Sequence, residues 1–183
     1  MVIYTKKGDK GKTILFKKVG GKSVRVSKNA TIVSVLGVID ELNSFLGLVR
    51  VFLDNSDFGN KELERIQINL LTIGSVIAGS KLKFEKKETL NLENSINKMD
   101  SEISPLRNFI IPGGTKNASF LQYARALSRK AEREMVGLKA KKKVDPGILE
   151  YLNRLSDFLF TLSRWVNLKE GGKEVVWKLQ RKK

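Results

Sequence analysis

The sequence of 183 residues contains neither cysteine nor histidine. This absence excludes a disulfide framework, a Cys/His zinc site, a thiol nucleophile and an imidazole base, so any chemistry must use carboxylates, amines, guanidinium groups, hydroxyls or amides. Long apolar runs are also lacking: no stretch approaches about 18 apolar residues, and Lys6 and Lys7 interrupt the N-terminus early. We therefore expect a cytoplasmic protein with no membrane segment.

Acidic residues are few relative to basic ones, and the imbalance is concentrated in two segments. The chain has 35 Lys and Arg against 19 Asp and Glu, a net charge of +16. Residues 1–28 hold nine basic residues and one acidic residue, and residues 116–143 hold nine basic and two acidic, so together they carry +15. Two interpretations stay open: both segments converge on one polyanion, or they are solvated surfaces with a Lys-rich loop at Lys139 to Lys143.

Apolar residues after position 30 recur at alternating spacings of three and four, which is typical of helices that bury one face. The pattern predicts helices over 32–53, 63–77, 92–103 and 117–141, and a fifth from Pro146 to about 170, with Asn60 and Asp145 as N-caps. We expect one all-α domain over 1–183, with a five-helix up-down bundle at 29–170. Residues 1–28 are expected to form a glycine/lysine-rich N-terminal loop with a small hairpin at 13–16 and 23–26, and residues 171–183 a basic C-terminal tail.

The segment from Tyr4 to Thr13 combines glycines, lysines and threonines. Glycines let backbone N–H groups approach phosphate oxygens, lysines neutralise them, and a threonine hydroxyl can reach a phosphate or a bound Mg²⁺. The similarity to a P-loop is superficial, because Lys6 stands where that motif needs glycine and β-prone residues 14–16 follow where it needs a helix. Taken alone, the segment equally fits a flexible basic terminus.

Charged residues on the fourth predicted helix form a second candidate site. Arg125, Arg129 and Glu132 share one face at positions i, i+4 and i+7, with Lys130 and Arg133 beside them. Basic groups next to a packed seam are costly unless an anion meets them there. A solvated, salt-bridged helix face is the plain alternative.

Polar side chains interrupt two otherwise apolar helices. Asp40 and Asn43 share a face of the first helix, and Asn153, Ser156 and Asp157 share a face of the last. Such residues at the edge of a bundle core usually make structural hydrogen bonds or ion pairs. The same positions would suit the lining of a site between helices or subunits, and both interpretations stay open.

Five segments, in order and with matching spacing, resemble the PduO-type ATP:cob(I)alamin (corrinoid) adenosyltransferases over residues 3 to about 167. They are 4–11 (YTKKGDKG), 37–43 (GVIDELN), 109–114 (FIIPGG), 125–133 (RALSRKAER) and 153–157 (NRLSD). The resemblance implies a homotrimer of five-helix bundles with each active site between adjacent subunits. It also implies that the N-terminal loop and the basic helix hold ATP, which would account for both basic segments.

The resemblance assigns roles to the residues that match the family's motifs. The ATP-binding residues would be Thr5, Lys6, Lys7, Gly8, Asp9, Lys10, Gly11, Thr13, Lys28, Arg129, Lys130, Glu132, Arg133 and Asn153. Asp40, Arg125 and Phe109 would be the catalytic and corrinoid-binding residues. Asp40 would pair with Arg125 between ATP and the corrinoid, and Phe109 would lie against the lower face of the corrin ring. Lys130 stands where arginine is usual and lacks its bidentate fork.

The implied enzyme transfers the 5′-deoxyadenosyl group of ATP to cob(I)alamin or a related Co(I) corrinoid, giving adenosylcobalamin and triphosphate. Co(I) is itself the nucleophile, so the protein supplies positioning and charge stabilisation and needs neither histidine nor cysteine. Mg²⁺ would be carried by ATP, with Thr13 as a candidate ligand, and a corrinoid reductase would supply the reduced substrate. The alternatives are a basic helical nucleic-acid-binding protein, against which the motif set argues, and an ATP-binding structural or regulatory trimer without turnover.

Overall fold

The structure is a computed structural model that describes residue 4 and residues 6–19, 22–53 and 57–178. In these residues five α-helices follow a β-hairpin, which confirms the predicted five-helix bundle. The hairpin strands are β1 (Lys12–Val19) and β2 (Lys22–Ser27), and the helices are α1 (Thr31–Phe52), α2 (Asp57–Ile77), α3 (Lys87–Asp100), α4 (Lys116–Lys139) and α5 (Pro146–Lys169). Two short strands, β3 (Ile110–Ile111) and β4 (Val175–Val176), pair with each other.

The helices bury one continuous apolar core. α1 packs on α2 and α4, and α5 packs on α3 and α4, so that α4 lies between α1 and α5. The apolar stripe predicted on α1 is buried, with Val35, Leu42 and Leu46 fully excluded from solvent. Tyr151 and Phe158 of α5 are among the largest side chains in the core. Burial of these faces, more than helix propensity, stabilises the helices.

The two predicted N-caps have different outcomes. Asp145 caps α5, because its Oδ1 accepts the backbone N–H of Gly147 at 2.9 Å. Asn60 does not cap α2, because that helix begins at Asp57. Its side-chain amide instead donates to the carbonyl of Leu53 at 3.2 Å, since the last carbonyls of α1 lack partners within their own helix. The sequence identified a capping residue but assigned it to the wrong helix.

The bounds of α3 also differ from the prediction. The helix begins at Lys87, before Leu92, and ends at Asp100 instead of continuing to Ile103. Its first turns bury Thr89, a polar residue that a search for apolar spacing does not register. Ile103 is buried nevertheless, in the loop that follows.

The predicted hairpin forms and extends beyond the two β-prone pieces. Thr13 lies opposite Val26 and Ile14 opposite Arg25, with an irregularity further along β1. At the open end of the hairpin the N–H of Lys28 donates to the carbonyl of Gly11 at 2.8 Å. The described residues from 6 to 28 therefore form a turn and a hairpin, where the sequence suggested mainly a loop.

The segment predicted as a C-terminal tail contains β4. Its two residues pair antiparallel with β3, with Ile110 opposite Val176 and Ile111 opposite Val175. The N–H of Trp177 then donates to the carbonyl of Phe109 at 2.8 Å. These strands are too short to produce a recognisable alternating pattern, which is why the sequence did not predict them.

α1 is the one helix among the described residues that is long and apolar enough to cross a membrane by length and composition. A count of consecutive apolar residues misses it, because Asp40 and Glu41 divide the run. The helix packs against α2 and α4 and supplies core residues, as a central helix of a bundle does. Only 33% of its most apolar stretch is buried within the chain, so α1 also presents apolar surface.

Candidate functional site

The hairpin and the turn before it enclose a basic cavity of about 310 Å³. Its lining residues are Lys7, Gly8, Lys12, Thr13, Ile14, Arg25 and Lys28. Four of the seven are basic and none is acidic, so the cavity favours an anion. The backbone at Gly8 and the hydroxyl of Thr13 add hydrogen-bond donors that suit phosphate oxygens.

The turn before β1 is compact. The N–H of Asp9 donates to the carbonyl of Lys6 at 3.5 Å, and the N–H of Gly11 donates to the carbonyl of Gly8 at 3.2 Å. Gly11 has a φ of +71°, in the left-handed region that favours glycine. Lys6, Asp9, Lys10 and Gly11 therefore form an exposed turn beside the basic cavity.

Two side chains from β2 and its end hold this turn against the hairpin. A β-carbon added to Gly8 would lie 3.5 Å from Nζ of Lys28, so the ammonium group rests close to the glycine backbone. The guanidinium group of Arg25 donates to the carbonyl of Lys7. Arg25 thus contributes charge to the cavity and also fixes the turn.

A second cavity of about 310 Å³ lies where α4 meets α5. It is lined by Arg129, Glu132, Arg133, Val136 and Asn153. The side-chain amide of Asn153 donates to Oε1 of Glu132 at 2.9 Å, which ties the last helix to the basic helix. Two guanidinium groups one turn apart suit bidentate binding of phosphate, and the carboxylate and amide supply further polar contacts.

Lys130 points away from this cavity. Its Nζ donates to Oε2 of Glu41 at 2.7 Å, so the side chain bridges α4 to α1. The hydrogen bond to Glu41 raises the pKa of Lys130 above its ordinary value. Within one chain Lys130 is engaged by a carboxylate, and an incoming phosphate would compete with that contact.

Arg125 and Asp40, which the sequence predicted to pair, are not joined by a hydrogen bond or ion pair among the described residues. Arg125 Nε instead donates to Oε1 of Gln122 at 2.9 Å. Burial lowers the pKa of Arg125, and the neighbouring charge of Arg129 lowers it further. Asp40 is exposed on α1. Arg125 therefore has no carboxylate partner among the described residues, and the exposed carboxylate of Asp40 is accessible to a cation.

Asp40 belongs to an apolar groove of about 480 Å³ between β1, α1 and α2. Most of the lining is aliphatic, with Thr13, Asp40, Asn43 and Ser75 as its polar residues. Oδ1 of Asn43 is buried without a hydrogen-bond partner. A buried acceptor without a partner is unusual, and here it offers a contact to a ligand that enters the groove.

Phe109 is 78% exposed in the loop before β3. Its ring lies edge-on to Trp177, with centroids 6.4 Å apart and an interplanar angle of 70°. Both rings line a shallow cavity of about 500 Å³ together with Leu106, Arg107 and Asn108. An aromatic ring that is exposed yet held by a strand is suited to stacking on a flat apolar ligand.

The structure gathers eight of the fourteen predicted ATP-binding residues into two separate groups. One group is Lys7, Gly8, Thr13 and Lys28, and the other is Arg129, Glu132, Arg133 and Asn153. The two cavities share no lining residue, so among the described residues of one chain they are distinct cavities. Thr5 lies outside the described residues.

Two residues of these sites were missed by the sequence reasoning, Arg25 and Trp177, whereas Lys12 lies in the candidate segment from Tyr4 to Thr13. Strand pairing could have found Arg25, since a hairpin through 13–16 and 23–26 places it opposite Ile14. Trp177 carried no signal, because its contact with Phe109 depends on a strand of only two residues.

Among the described residues, no group of three or more His, Cys, Asp or Glu side chains could hold a metal ion. Mg²⁺ commonly keeps several waters and binds through substrate phosphates with one or two protein oxygens. The hydroxyl of Thr13 in the hairpin cavity is a suitable protein oxygen. The residues present therefore fit Mg²⁺ that arrives with a nucleotide and do not form a separate metal site.

Comparisons with known proteins agree with these features. Residues 3–166 match the family model described as cobalamin adenosyltransferase. The chain is 39% identical to a corrinoid adenosyltransferase of Bacillus subtilis, over 93% of this chain and 89% of that protein. It is 36% identical to corrinoid adenosyltransferase MMAB of Mus musculus, over 96% of this chain and 77% of that protein.

Solved structures give the same relationship. A variant PduO-type ATP:corrinoid adenosyltransferase from Lactobacillus reuteri, complexed with cobalamin and ATP, superposes with a TM-score of 0.91 at 32% identity. The match covers 97% of this chain and 100% of that chain. A second variant from the same organism, complexed with ATP, has a TM-score of 0.88 at 34% identity, over 96% of this chain and 100% of that chain.

Proposed function

The chain belongs to the cobalamin adenosyltransferase family, and on this premise we propose that it transfers the 5′-deoxyadenosyl group of ATP to a Co(I) corrinoid. The observation that carries the proposal is the cavity between α4 and α5, where Asn153 hydrogen-bonds Glu132 beside Arg129 and Arg133. This arrangement offers a nucleotide two guanidinium groups, a carboxylate and an amide. The family match and the similarity to a corrinoid adenosyltransferase favour this function over a nucleic-acid-binding protein.

The reaction fits a chain without histidine or cysteine. The electron pair of Co(I) attacks C5′ of the ribose, the C5′–O bond breaks, and triphosphate leaves. Negative charge that develops on the leaving triphosphate is stabilised by the cationic side chains. The protein needs no nucleophile of its own, and its contribution is to hold C5′ in line with cobalt.

ATP would contact both basic cavities. The triphosphate would be surrounded by Lys7, Lys28 and the turn that contains Lys6, Gly8, Asp9, Lys10 and Gly11. Thr5 would be a further contact. From the helices, ATP would be bound by Arg129, Glu132, Arg133 and Asn153. Lys130 would also bind phosphate if its ion pair with Glu41 opened. Lys12 and Arg25 line the hairpin cavity as well and join the set. Mg²⁺ bound to the phosphates, with Thr13 as protein ligand, would offset the charge of the triphosphate.

A homotrimer with shared active sites would unite the two cavities. In one chain they share no residue, so the hairpin of one subunit would complete the helical cavity of its neighbour. Such an assembly would also cover exposed apolar side chains, a set comprising Leu48, Val51 and Phe52 on α1, Ile68 and Leu71 on α2, and Tyr123 on α4. Exposed apolar side chains on three packed helices are typical of an interaction surface.

The corrinoid would bind between Phe109 and the groove that contains Asp40. In this arrangement Asp40 would pair with Arg125 across the subunit boundary, which would give each charge the partner that it lacks among the described residues of one chain. Phe109 would stack on the lower face of the corrin ring and displace the lower ligand of cobalt. Asn43 Oδ1 offers an acceptor to the amide groups at the edge of the corrin.

The decisive experiment mixes the protein with Mg-ATP and chemically reduced cobalamin and follows the corrinoid spectrum. We expect conversion of cob(I)alamin to adenosylcobalamin, dependent on ATP. Failure of this conversion would contradict the proposal and favour an ATP-binding trimer without turnover. Binding to nucleic acid that falls steeply with salt and ignores ATP would favour the remaining alternative.

Phe109→Ala tests the corrinoid side of the site separately. We expect ATP affinity to be unchanged and turnover to slow when the assay starts from Co(II), because formation of four-coordinate cobalt would be impaired. A loss of ATP affinity would contradict this role for Phe109.

The corrinoid reductase and the cytoplasmic location stay predictions.

A further inference from the structure

The C-terminal end of α5 holds separate segments of the chain together. Oδ1 of Asn167 accepts the N–H of Thr115 at 2.9 Å, which fixes the turn before α4. A β-carbon added to Gly114 or Gly172 would come within 2.2 Å and 2.1 Å of the same oxygen, so both segments pass very close to this side chain. The region is a junction where α5 meets the loop after α3, the turn before α4 and the C-terminal segment.

Arg164 is a buried charged side chain in this junction, and it makes several hydrogen bonds. Its side chain is only 5% exposed, yet it carries a full charge. Nε donates to Oε1 of Glu174 at 2.7 Å, and the terminal nitrogen Nη2 donates to Oε2 of Glu174 at 3.2 Å and to the carbonyl of Ser104 at 2.8 Å. A buried guanidinium group requires such partners, because leaving its charge without them would be costly.

These contacts connect directly to the ring of Phe109. Glu174 immediately precedes β4, and β4 pairs with β3, which begins next to Phe109. The N–H of Trp177 donates to the carbonyl of Phe109, and the two rings are in contact. Strands of two residues do not hold together unaided, so this pairing depends on anchors outside it.

We propose that the ion pair between Arg164 and Glu174 is a latch that positions Phe109, because it anchors β4 against β3. Arg164 hydrogen-bonds the C-terminal segment through Glu174 and the loop after α3 through the carbonyl of Ser104. Phe109 lies where these two segments pair. The ion pair between Arg164 and Glu174 forms without any ligand. Its effect on the corrinoid rests on the proposed function.

The first arm of the test needs no substrate. The chain has two tryptophans, Trp165 and Trp177, so labelling with 5-fluorotryptophan gives two fluorine resonances, which Trp165→Phe assigns. In Glu174→Gln we expect the Trp177 resonance to shift and narrow, while the Trp165 resonance stays in place and reports an intact bundle. The matched control is Glu170→Gln at the end of α5, where the carboxylate accepts only from Asn117 at 2.7 Å among the described residues.

The second arm measures turnover. We expect Glu174→Gln to raise the corrinoid KM about tenfold and to leave the ATP KM within about twofold, since loss of a charge-assisted hydrogen bond is worth about a factor of ten. The ATP-lining residues do not touch the latch. Arg164→Lys, which keeps the buried charge but loses the bidentate fork, provides the same test if Glu174→Gln disturbs Trp165.

Each outcome decides the proposal. An unchanged Trp177 resonance in both latch variants would overturn it, and so would a moved resonance with an unchanged corrinoid KM. If the unaltered protein converts no corrinoid, the proposed function fails. In that case the Trp177 resonance still decides whether Arg164 and Glu174 hold β4 in place.

Discussion

The two basic cavities are built on very different supports. The hairpin cavity rests on two strands in which Leu15 is the one buried side chain among those described. The helical cavity lies on α4 and α5, each of 24 residues, whose apolar faces are buried along their length. The chemistry differs in the same way, since lysines predominate in the hairpin and arginines in the helices.

This difference suggests a division of labour in nucleotide binding. Arg129 and Arg133 are exposed side chains on a helix whose other face is packed, and each guanidinium group offers phosphate a planar bidentate fork. Lysines on an exposed hairpin supply charge with less geometric definition, and solvent and salt screen them. We therefore expect the helical cavity to provide most of the affinity and the hairpin to provide an electrostatic supplement.

The largest loss of stability around the helical cavity is expected from a substitution in the turn before α4. Gly114 has a φ of +111°, and a β-carbon there would lie 2.2 Å from Oδ1 of Asn167. Gly114→Ala should lower the free energy of unfolding by about 3 kcal/mol or more, from backbone strain and loss of the contact to Thr115. Thermal or urea unfolding measures this. The control, Gly137→Ala in the last turn of α4, where no atom lies within 4 Å of an added β-carbon, should stabilise slightly.

The affinity of the helical cavity depends on its arginines. Arg129→Ala should weaken ATP binding about a hundredfold or more, because charge-assisted bidentate contacts are the strongest available to phosphate. Isothermal titration with ATP gives the dissociation constant. Lys139→Ala, on the same helix but outside the cavity, should bind ATP normally. Equal losses in the two variants would mean that net charge alone attracts the nucleotide.

The hairpin should contribute less. Lys28→Ala is expected to weaken ATP binding about tenfold at low salt and less at high salt, because a single exposed ammonium group is screened. Titration at two salt concentrations tests this, with Lys173→Ala as the control for a general charge effect. A salt-independent loss as large as that of Arg129→Ala would invalidate the contrast between the two cavities.

The smallest effect is expected at Lys130. Its hydrogen bond to Glu41 raises the pKa of Lys130, so the ammonium group stays charged at neutral pH and its contribution is lost only as pH rises beyond the ordinary range of lysine. Lys130→Ala should change ATP affinity by only about threefold, because exposed ion pairs and singly bound lysines contribute little. A loss comparable to that of Arg129→Ala would show that Lys130 releases Glu41 and binds phosphate.

The helical scaffold was largely predictable, and the residues that join its parts were not. Spacing along α1 identified Val35, Leu42 and Leu46 as core, since an apolar stripe must be buried wherever the helix packs. Asn60 was misassigned because a capping side chain has the same local signature whichever neighbouring helix end it serves. The start of α3 was not predicted, because the prediction followed apolar spacing and Thr89 is a buried but polar residue.

By itself the sequence determined the five helices, the two basic segments and the absence of thiol and imidazole chemistry, because periodicity and residue chemistry are local properties. Tertiary structure alone decided that Asn153 meets Glu132, 21 positions away, and that Lys130 turns to Glu41, 89 positions away. It also decided that Arg164 and Glu174 join the segments around Phe109. Contacts of this kind depend on how helices pack and which segments cross, and no local pattern records that geometry.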